Sequence, residues 1–194
     1  MTVSKDALPG PAPSSAQDLG RHLDMLIRDV ADFPKPGVTF KDITPLLADH
    51  HGFSTVVDAL ARAGRDEEGR VVVDKVVGTE ARGFILAAPV ALALGAGFVP
   101  VRKAGKLPGA THAVEYALEY GEAILEMHRD AVAPGERVLV IDDVLATGGT
   151  VAATAQLIEL CGGLVSSVAV LLELTFLSGR EAIGDLRLTA LRSL

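Results

Sequence analysis

The apolar positions change their period several times along the chain. Leu19, Leu23, Leu26, Ile27 and Val30 recur at helical spacing and predict a first amphipathic helix. Residues 32–47, DFPKPGVTFKDITPLL, hold three prolines and a glycine, so they read as mostly irregular. Phe53, Val56, Val57, Leu60 and Ala63 mark a second amphipathic helix, and GRDEEG at 64–69 is a solvated turn. Beyond it, strand-like and helix-like runs alternate. The valine-rich run 71–77 predicts a strand, 83–94 a helix and 97–101 a short buried strand. Residues 102–117, RKAGKLPGATHAVEYA, read as a long polar loop. Strands follow at 120–127, 137–141 and 164–172. A helix at 149–160 separates the last two and turns Val151, Ala155 and Ile158 inward. No internal repeat is present.

Strands alternating with helices predict an α/β fold: a mostly parallel, twisted sheet covered by helices on both faces. Ligands of such sheets bind at the carboxyl ends of strands, near a reversal of strand order. That rule directs attention to the segments after two strands, 78–83 and 142–149, and to the loop that begins at 102.

Length and composition narrow the picture. The 194 residues are 49% hydrophobic, enough for one domain with a sizeable core, assigned to 19–194. Residues 1–18 are rich in Pro, Ala and Ser and read as a disordered tail with no apolar signal-peptide segment. Residues 84–101 carry no charge, but Pro89, Gly95, Gly97 and Pro100 interrupt them, so no membrane span is expected. A net charge of -7 disfavours nucleic acid and anionic lipid as partners. With 4% aromatics and no Trp, a base-stacking platform for single strands is not expected either. The single cysteine, Cys161, excludes an intrachain disulfide and reads as a buried structural thiol in a reducing compartment. The five histidines form no metal-ligand spacing.

The chemistry is concentrated in VLVIDDVLATGGT, residues 138–150. A buried strand ending near Asp142 would place two adjacent carboxylates at the sheet edge. Their mutual repulsion calls for a bound hydroxyl donor or a divalent cation. Ala146, Thr147, Gly148, Gly149 and Thr150 then lead into a helix, whose free N–H groups attract an anion. Hydroxyl binders followed by a phosphate cradle suit a ribose 5-phosphate. The string lacks the Lys of a Walker loop and does not match the dinucleotide fingerprint.

The whole string resembles the phosphoribosyl-pyrophosphate signature of the type I phosphoribosyltransferases. VVGTEARGF at 76–84, FVPVRKAGKLPG at 98–109, LEYG at 118–121 and FPKPGVTFKDITPLL at 33–47 are similar to the adenine phosphoribosyltransferases among them. The resemblance spans about residues 20–176. It implies the fold of that family, with a small N-terminal hood and a flexible lid loop. It also implies transfer of 5-phosphoribosyl from phosphoribosyl pyrophosphate to N9 of adenine, giving AMP and pyrophosphate.

By the resemblance, Asp142 and Asp143 hold the ribose hydroxyls, and the turn 146–150 holds the 5-phosphate. The loop 78–83, with Arg82 and a non-proline cis peptide at Glu80-Ala81, binds pyrophosphate. Arg102, Lys103 and Lys106 lie in a lid and stabilise the leaving group while the lid excludes water. Glu119 acts as acid or base toward the purine, at N7, and Tyr120 shapes the base pocket and the lid hinge. Phe40 stacks on adenine, the Thr39 backbone bonds its edge, and Lys41 stands where an arginine is frequent in the family. Lysine lacks the planar fork of arginine. Mg²⁺ is expected, held mainly by substrate phosphates with Asp142 or Asp143 assisting. A homodimer in the cytoplasm is implied as well. Two alternatives stay open at this point: transfer to another purine base, and a nucleic-acid-binding regulator that keeps the fold. The acidic charge and the retained Glu119 weigh against the second.

Overall fold

The computed structural model describes residues 16–117 and 122–194. They fall into two compact units, divided between Thr55 and Val56.

In the first unit, α1 (Ala16–Leu26) begins three residues earlier than expected and takes in residues 16–18, assigned above to the tail. Residues 1–15 of that tail lie outside the described residues. Asp18 sits in the first turn of α1, favourably placed for the helix dipole, and Leu23 is 3% exposed. The helix stops before Ile27 and Val30, which continue its spacing in sequence. Val30 instead lies in β1 (Arg28–Ala31), paired antiparallel with β2 (Thr39–Asp42). The hairpin takes up Val30, which pairs with Phe40. Asp32, at φ 58°, lies in the turn that brings the chain back, and the Phe33-Pro34 peptide beside it is cis. The expected irregular stretch thus contains β2 and the short α2 (Thr44–Ala48), which carries proline in its first turn. Ile43 and Leu46 anchor the core of this unit. The helix α3 (His50–Ala61) follows, and its sequence crosses the 55/56 boundary.

The second unit is built on a seven-stranded sheet. The elements are β3 (Lys75–Thr79), α4 (Arg82–Leu94), β4 (Gly97–Lys103), β5 (Thr111–Ala117), β6 (Glu122–His128), β7 (Arg137–Leu145), α5 (Gly149–Leu160), β8 (Leu164–Glu173), α6 (Gly179–Ile183) and β9 (Leu188–Ser193). Strand order is β5-β6-β4-β3-β7-β8-β9. Pairings from β4 through β3, β7 and β8 to β9 are parallel, and β6 adds to β4 and β5 antiparallel. The expected α/β class is observed. The core holds Val77, Val99, Val101, Val138, Val140, Leu157, Ile158, Val168 and Val170. Cys161 is buried and unpaired, and burial pushes its thiol pKa up. Among the described residues no helix is long and apolar enough to cross a membrane.

Three departures from the expected boundaries are large. The strand predicted at 71–77 starts only at Lys75, where pairing to Gly97 and Val138 begins. Val71 makes an isolated bridge to Arg65. The expected polar loop 102–117 contains the end of β4 and all of β5. Polar residues mask its alternation, in which Val114 and Tyr116 face the core. Finally, β7 does not end at Asp142 but runs to Leu145, because β8 pairs with it as far as Leu145↔Glu173.

From β3 the chain passes through α4 to β4 on one side of β3. It later returns as β7 on the other side. The order therefore reverses between β3 and β7, and the carboxyl ends of these two strands open onto 78–83 and 142–149, where a ligand crevice belongs.

Candidate active site

Asp142 and Asp143 sit inside β7, 8% and 6% exposed. Asp142 Oδ1 accepts the Asp143 N–H at 2.9 Å. Burial foremost, then the charge of Asp143, pushes the Asp142 carboxyl well above its ordinary pKa. The Thr79 hydroxyl sits against this carboxylate and draws the pKa part of the way back. Its geometry nonetheless leaves the buried Thr79 oxygen without a full hydrogen-bond partner. Burial also raises Asp143, offset by Arg82, whose Nη2 lies 2.9 Å from Asp143 Oδ2. This is an ion-pair contact whose angles fall short of a hydrogen bond. Two repelling acids, little hydrated and incompletely bonded, form a site prepared for hydroxyl donors.

The loop before α4 approaches the acids closely because glycine allows it. A Cβ on Gly83 would lie 2.9 Å from both Asp142 Oδ1 and Thr79 Oγ1. The Glu80-Ala81 peptide is cis, as expected.

After β7 the backbone bends through Ala146, Thr147 and Gly148. Gly148 has φ 83° and caps α5 with no side-chain hydrogen bond. The N–H groups of a first helical turn have no intrahelical partners. In α5 Gly149 and Thr150 lead and no side chain caps the turn, so these N–H groups are available to an anion.

A second cluster forms around Glu80, whose side chain is 10% exposed. Arg102 Nε lies 3.3 Å from its Oε2, the Lys103 backbone N–H donates to the same oxygen at 3.1 Å, and the Lys106 ammonium bonds Oε1. The Lys106 hydrogen bond is the main cause holding the Glu80 carboxyl below its ordinary pKa, with the Lys103 N–H assisting. The side chains of Arg102 and Lys106 remain 33% and 45% exposed, so their outer faces stay open to an anion. Sequence reasoning missed the Glu80 side chain. The signal is in the parallel register: Thr79 pairs with Val101, so residue 80 must meet residue 102.

Arg82, Asp142, Asp143 and the turn 146–150 thus gather at one sheet edge, and Arg102, Lys103 and Lys106 gather on Glu80. Thr39, Phe40 and Lys41 lie on β2 of the first unit. There Phe40 packs edge-to-face on Phe33 with centroids 5.0 Å apart, a partner not foreseen. Lys41 is engaged by Asp29, Nζ to Oδ1 at 2.7 Å, across the hairpin register. Glu119 and Tyr120 lie outside the described residues. Among the described residues no group of three or more His, Cys, Asp or Glu side chains forms a metal cage.

Residues 46–182 match the model of the phosphoribosyl transferase domain. The chain is 65% identical over 185 residues to an adenine phosphoribosyltransferase of Nocardioides sp., covering 95% of this chain and 97% of that protein. The crystal structure of adenine phosphoribosyltransferase from Thermoanaerobacter pseudethanolicus superposes with a TM-score of 0.84 at 48% identity, covering 91% of this chain and 99% of the other. The Saccharomyces cerevisiae adenine phosphoribosyltransferase, complexed with an imino-altritol bisphosphate and adenine, gives 0.86 at 35% identity, covering 91% and 99%.

Proposed function

The chain belongs to the adenine phosphoribosyltransferase family, a family of pentosyltransferases, and from that premise we propose how its own residues divide the work. The reaction moves the 5-phosphoribosyl group of phosphoribosyl pyrophosphate onto N9 of adenine and releases AMP and pyrophosphate. The observation that carries the assignment is the buried Asp142–Asp143 pair running directly into the uncapped glycine turn of α5.

Asp142 and Asp143 accept hydrogen bonds from the two ribose hydroxyls, which replaces their mutual repulsion with charge-assisted bonds. The N–H groups of 147–150 and the hydroxyls of Thr147 and Thr150 bind the 5-phosphate. The two groups are linked by one short rigid segment, so the sugar is fixed at both ends and its C1 is presented in one orientation. Arg82 and the backbone of 78–83 hold the pyrophosphate. Arg102, Lys103 and Lys106 stabilise the charge that develops on it as the C1–O bond breaks. Thr39 and Phe40 contact adenine, the former through its backbone. The Asp29 ion pair gives Lys41 the role of bracing the hairpin that carries them. Glu119 relays the purine proton and Tyr120 borders the base.

The oxygen-rich, acidic edge fits Mg²⁺ held mainly by the substrate, with Asp142 or Asp143 as the protein's contribution. When bound, such an ion neutralises phosphate charge. A homodimer in the cytoplasm completes the proposal. Ile85 and Leu92, exposed seven positions apart on α4, support the dimer, and a single cysteine fits a reducing compartment.

Purified protein with Mg²⁺ and phosphoribosyl pyrophosphate, offered adenine, hypoxanthine, guanine, xanthine or orotate in turn, is expected to form AMP from adenine alone. Nucleotide formed from a keto purine instead would overturn the base assignment, and no nucleotide from any base would overturn the proposal as a whole.

A further inference from the structure

The turn that begins α5 does not stand alone. A Cβ on Gly148 would lie 2.4 Å from the carbonyl oxygen of Gly179 and 2.8 Å from the Ala182 Cβ. Conversely, a Cβ on Gly179 would lie 2.3 Å from the carbonyl oxygen of Ala146 and 3.0 Å from Leu145 Cγ. These distances are far inside van der Waals contact, and the obstructing atoms include backbone that cannot rotate away. Gly179 opens α6 and is buried. Unlike Gly148 it is not among the glycines with positive φ. Its need for glycine is therefore close approach rather than an unusual dihedral.

The segment carrying Gly179 is itself tied to the sheet. Leu174 N–H donates to Leu145 O at 2.9 Å. Glu173, buried at the end of β8, accepts Arg180 Nε on one oxygen, and Arg180 Nη2 at 2.9 Å on the other. Ser193 Oγ of β9 also donates to it, at 2.9 Å. Arg180 follows Gly179 directly, so this fork fixes α6 beside the turn.

We propose that Gly179 is a positioning residue for phosphoribosyl binding: α6 acts as a backbone wall against Ala146 and Gly148, and Arg180–Glu173 holds the wall in place. The N–H groups of the turn must converge on a single phosphate, and a displacement of the turn by an added methyl group spreads them apart. This inference rests on the reading that the turn binds the 5-phosphate.

The test compares wild type with Gly179→Ala, Arg180→Gln and Gly163→Ala. Gly163 is a crowded control away from the turn, its added Cβ 2.6 Å from Val132 Cγ1 and 2.9 Å from Ile158 Cγ2, and it lies beyond the far end of α5. The readouts are calorimetric affinity for ribose 5-phosphate, KM for each substrate, kcat and Tm. Gly179→Ala is expected to weaken ribose 5-phosphate and raise KM for phosphoribosyl pyrophosphate by about tenfold or more, with a smaller change in kcat and none in KM for adenine. Arg180→Gln should do the same to a lesser degree. Gly163→Ala should lower Tm and leave both affinities alone. Wild-type affinity in Gly179→Ala, or equal losses in Gly179→Ala and Gly163→Ala, overturns the inference. If Gly179→Ala does not fold, Arg180→Gln decides, and unchanged affinity there overturns it. Failure of the wild type to bind ribose 5-phosphate removes the reading of the turn itself, and the inference with it.

Discussion

The two halves of the site in the second unit are made of different materials. The turn 146–150 is mainly backbone, with the two hydroxyls of Thr147 and Thr150: a left-handed glycine, a helix end without a capping side chain, and a carbonyl pressed against Gly179. The Glu80 cluster is side chain: two half-exposed cations and a backbone N–H gathered on one carboxylate. Recognition by the turn would rest on shape, since Gly148 has no room for a Cβ. Recognition by the cluster would rest on charge, carried by long, partly exposed side chains. A group that stays on the sugar through the reaction needs fixed geometry, whereas a departing group needs charge that can follow it.

Substitutions should separate the two halves, beginning with the most damaging. Gly148→Ala faces a left-handed φ and a 2.4 Å clash together. It should reduce kcat/KM for phosphoribosyl pyrophosphate by about 1,000-fold, mostly through KM, in steady-state assays. Lys106→Ala removes one movable cation and should cost about 100-fold, mostly in kcat. If Lys106→Ala acted mainly on KM, the contrast between fixed and movable halves would be lost.

Smaller effects fall on stability. The folded-state pKa of Asp142 is raised, so its burial in charged form destabilises the protein once pH exceeds the unfolded value, and fully so above the folded one. Asp142→Asn should therefore raise Tm of the ligand-free protein at neutral pH by about 2–4 °C, the shift that ~1 kcal/mol gives a chain of this size. The same variant should bind phosphoribosyl pyrophosphate more weakly. A Tm lower than wild type would show that the pair is not strained. Glu173 has the opposite sign. Arg180 foremost, with help from Ser193, lowers its folded pKa. Its contribution is present above the unfolded carboxylate pKa and is lost as pH falls through the folded one. Urea midpoints measured from pH 7 down through the acid range should fall less steeply for Glu173→Gln than for wild type, the smallest of these differences.

Much of this was legible in the sequence because local chemistry and fold agreed. The valine runs gave the parallel strands, and VLVIDDVLATGGT gave the acids and the turn. What escaped depends on contacts between distant segments. Glu80 meets Arg102 only through the register of β3 and β4. Gly179 meets Ala146 only because α6 folds back onto the turn. Ile27 and Val30 keep helical spacing, yet the chain turns back at Asp32 and Pro34 in a hairpin. Polar residues in β5 hide an alternation that becomes visible once Val114 is paired with Leu125.

On the proposed reading Asp142 and Asp143 grip the sugar diol while the turn grips its phosphate. A crystal structure with phosphoribosyl pyrophosphate and Mg²⁺ bound tests it most directly. The 5-phosphate is expected within hydrogen-bond distance of the backbone N–H groups of 147–150, and both ribose hydroxyls on the two aspartates. A phosphate seated elsewhere, with the turn left to solvent, would contradict it.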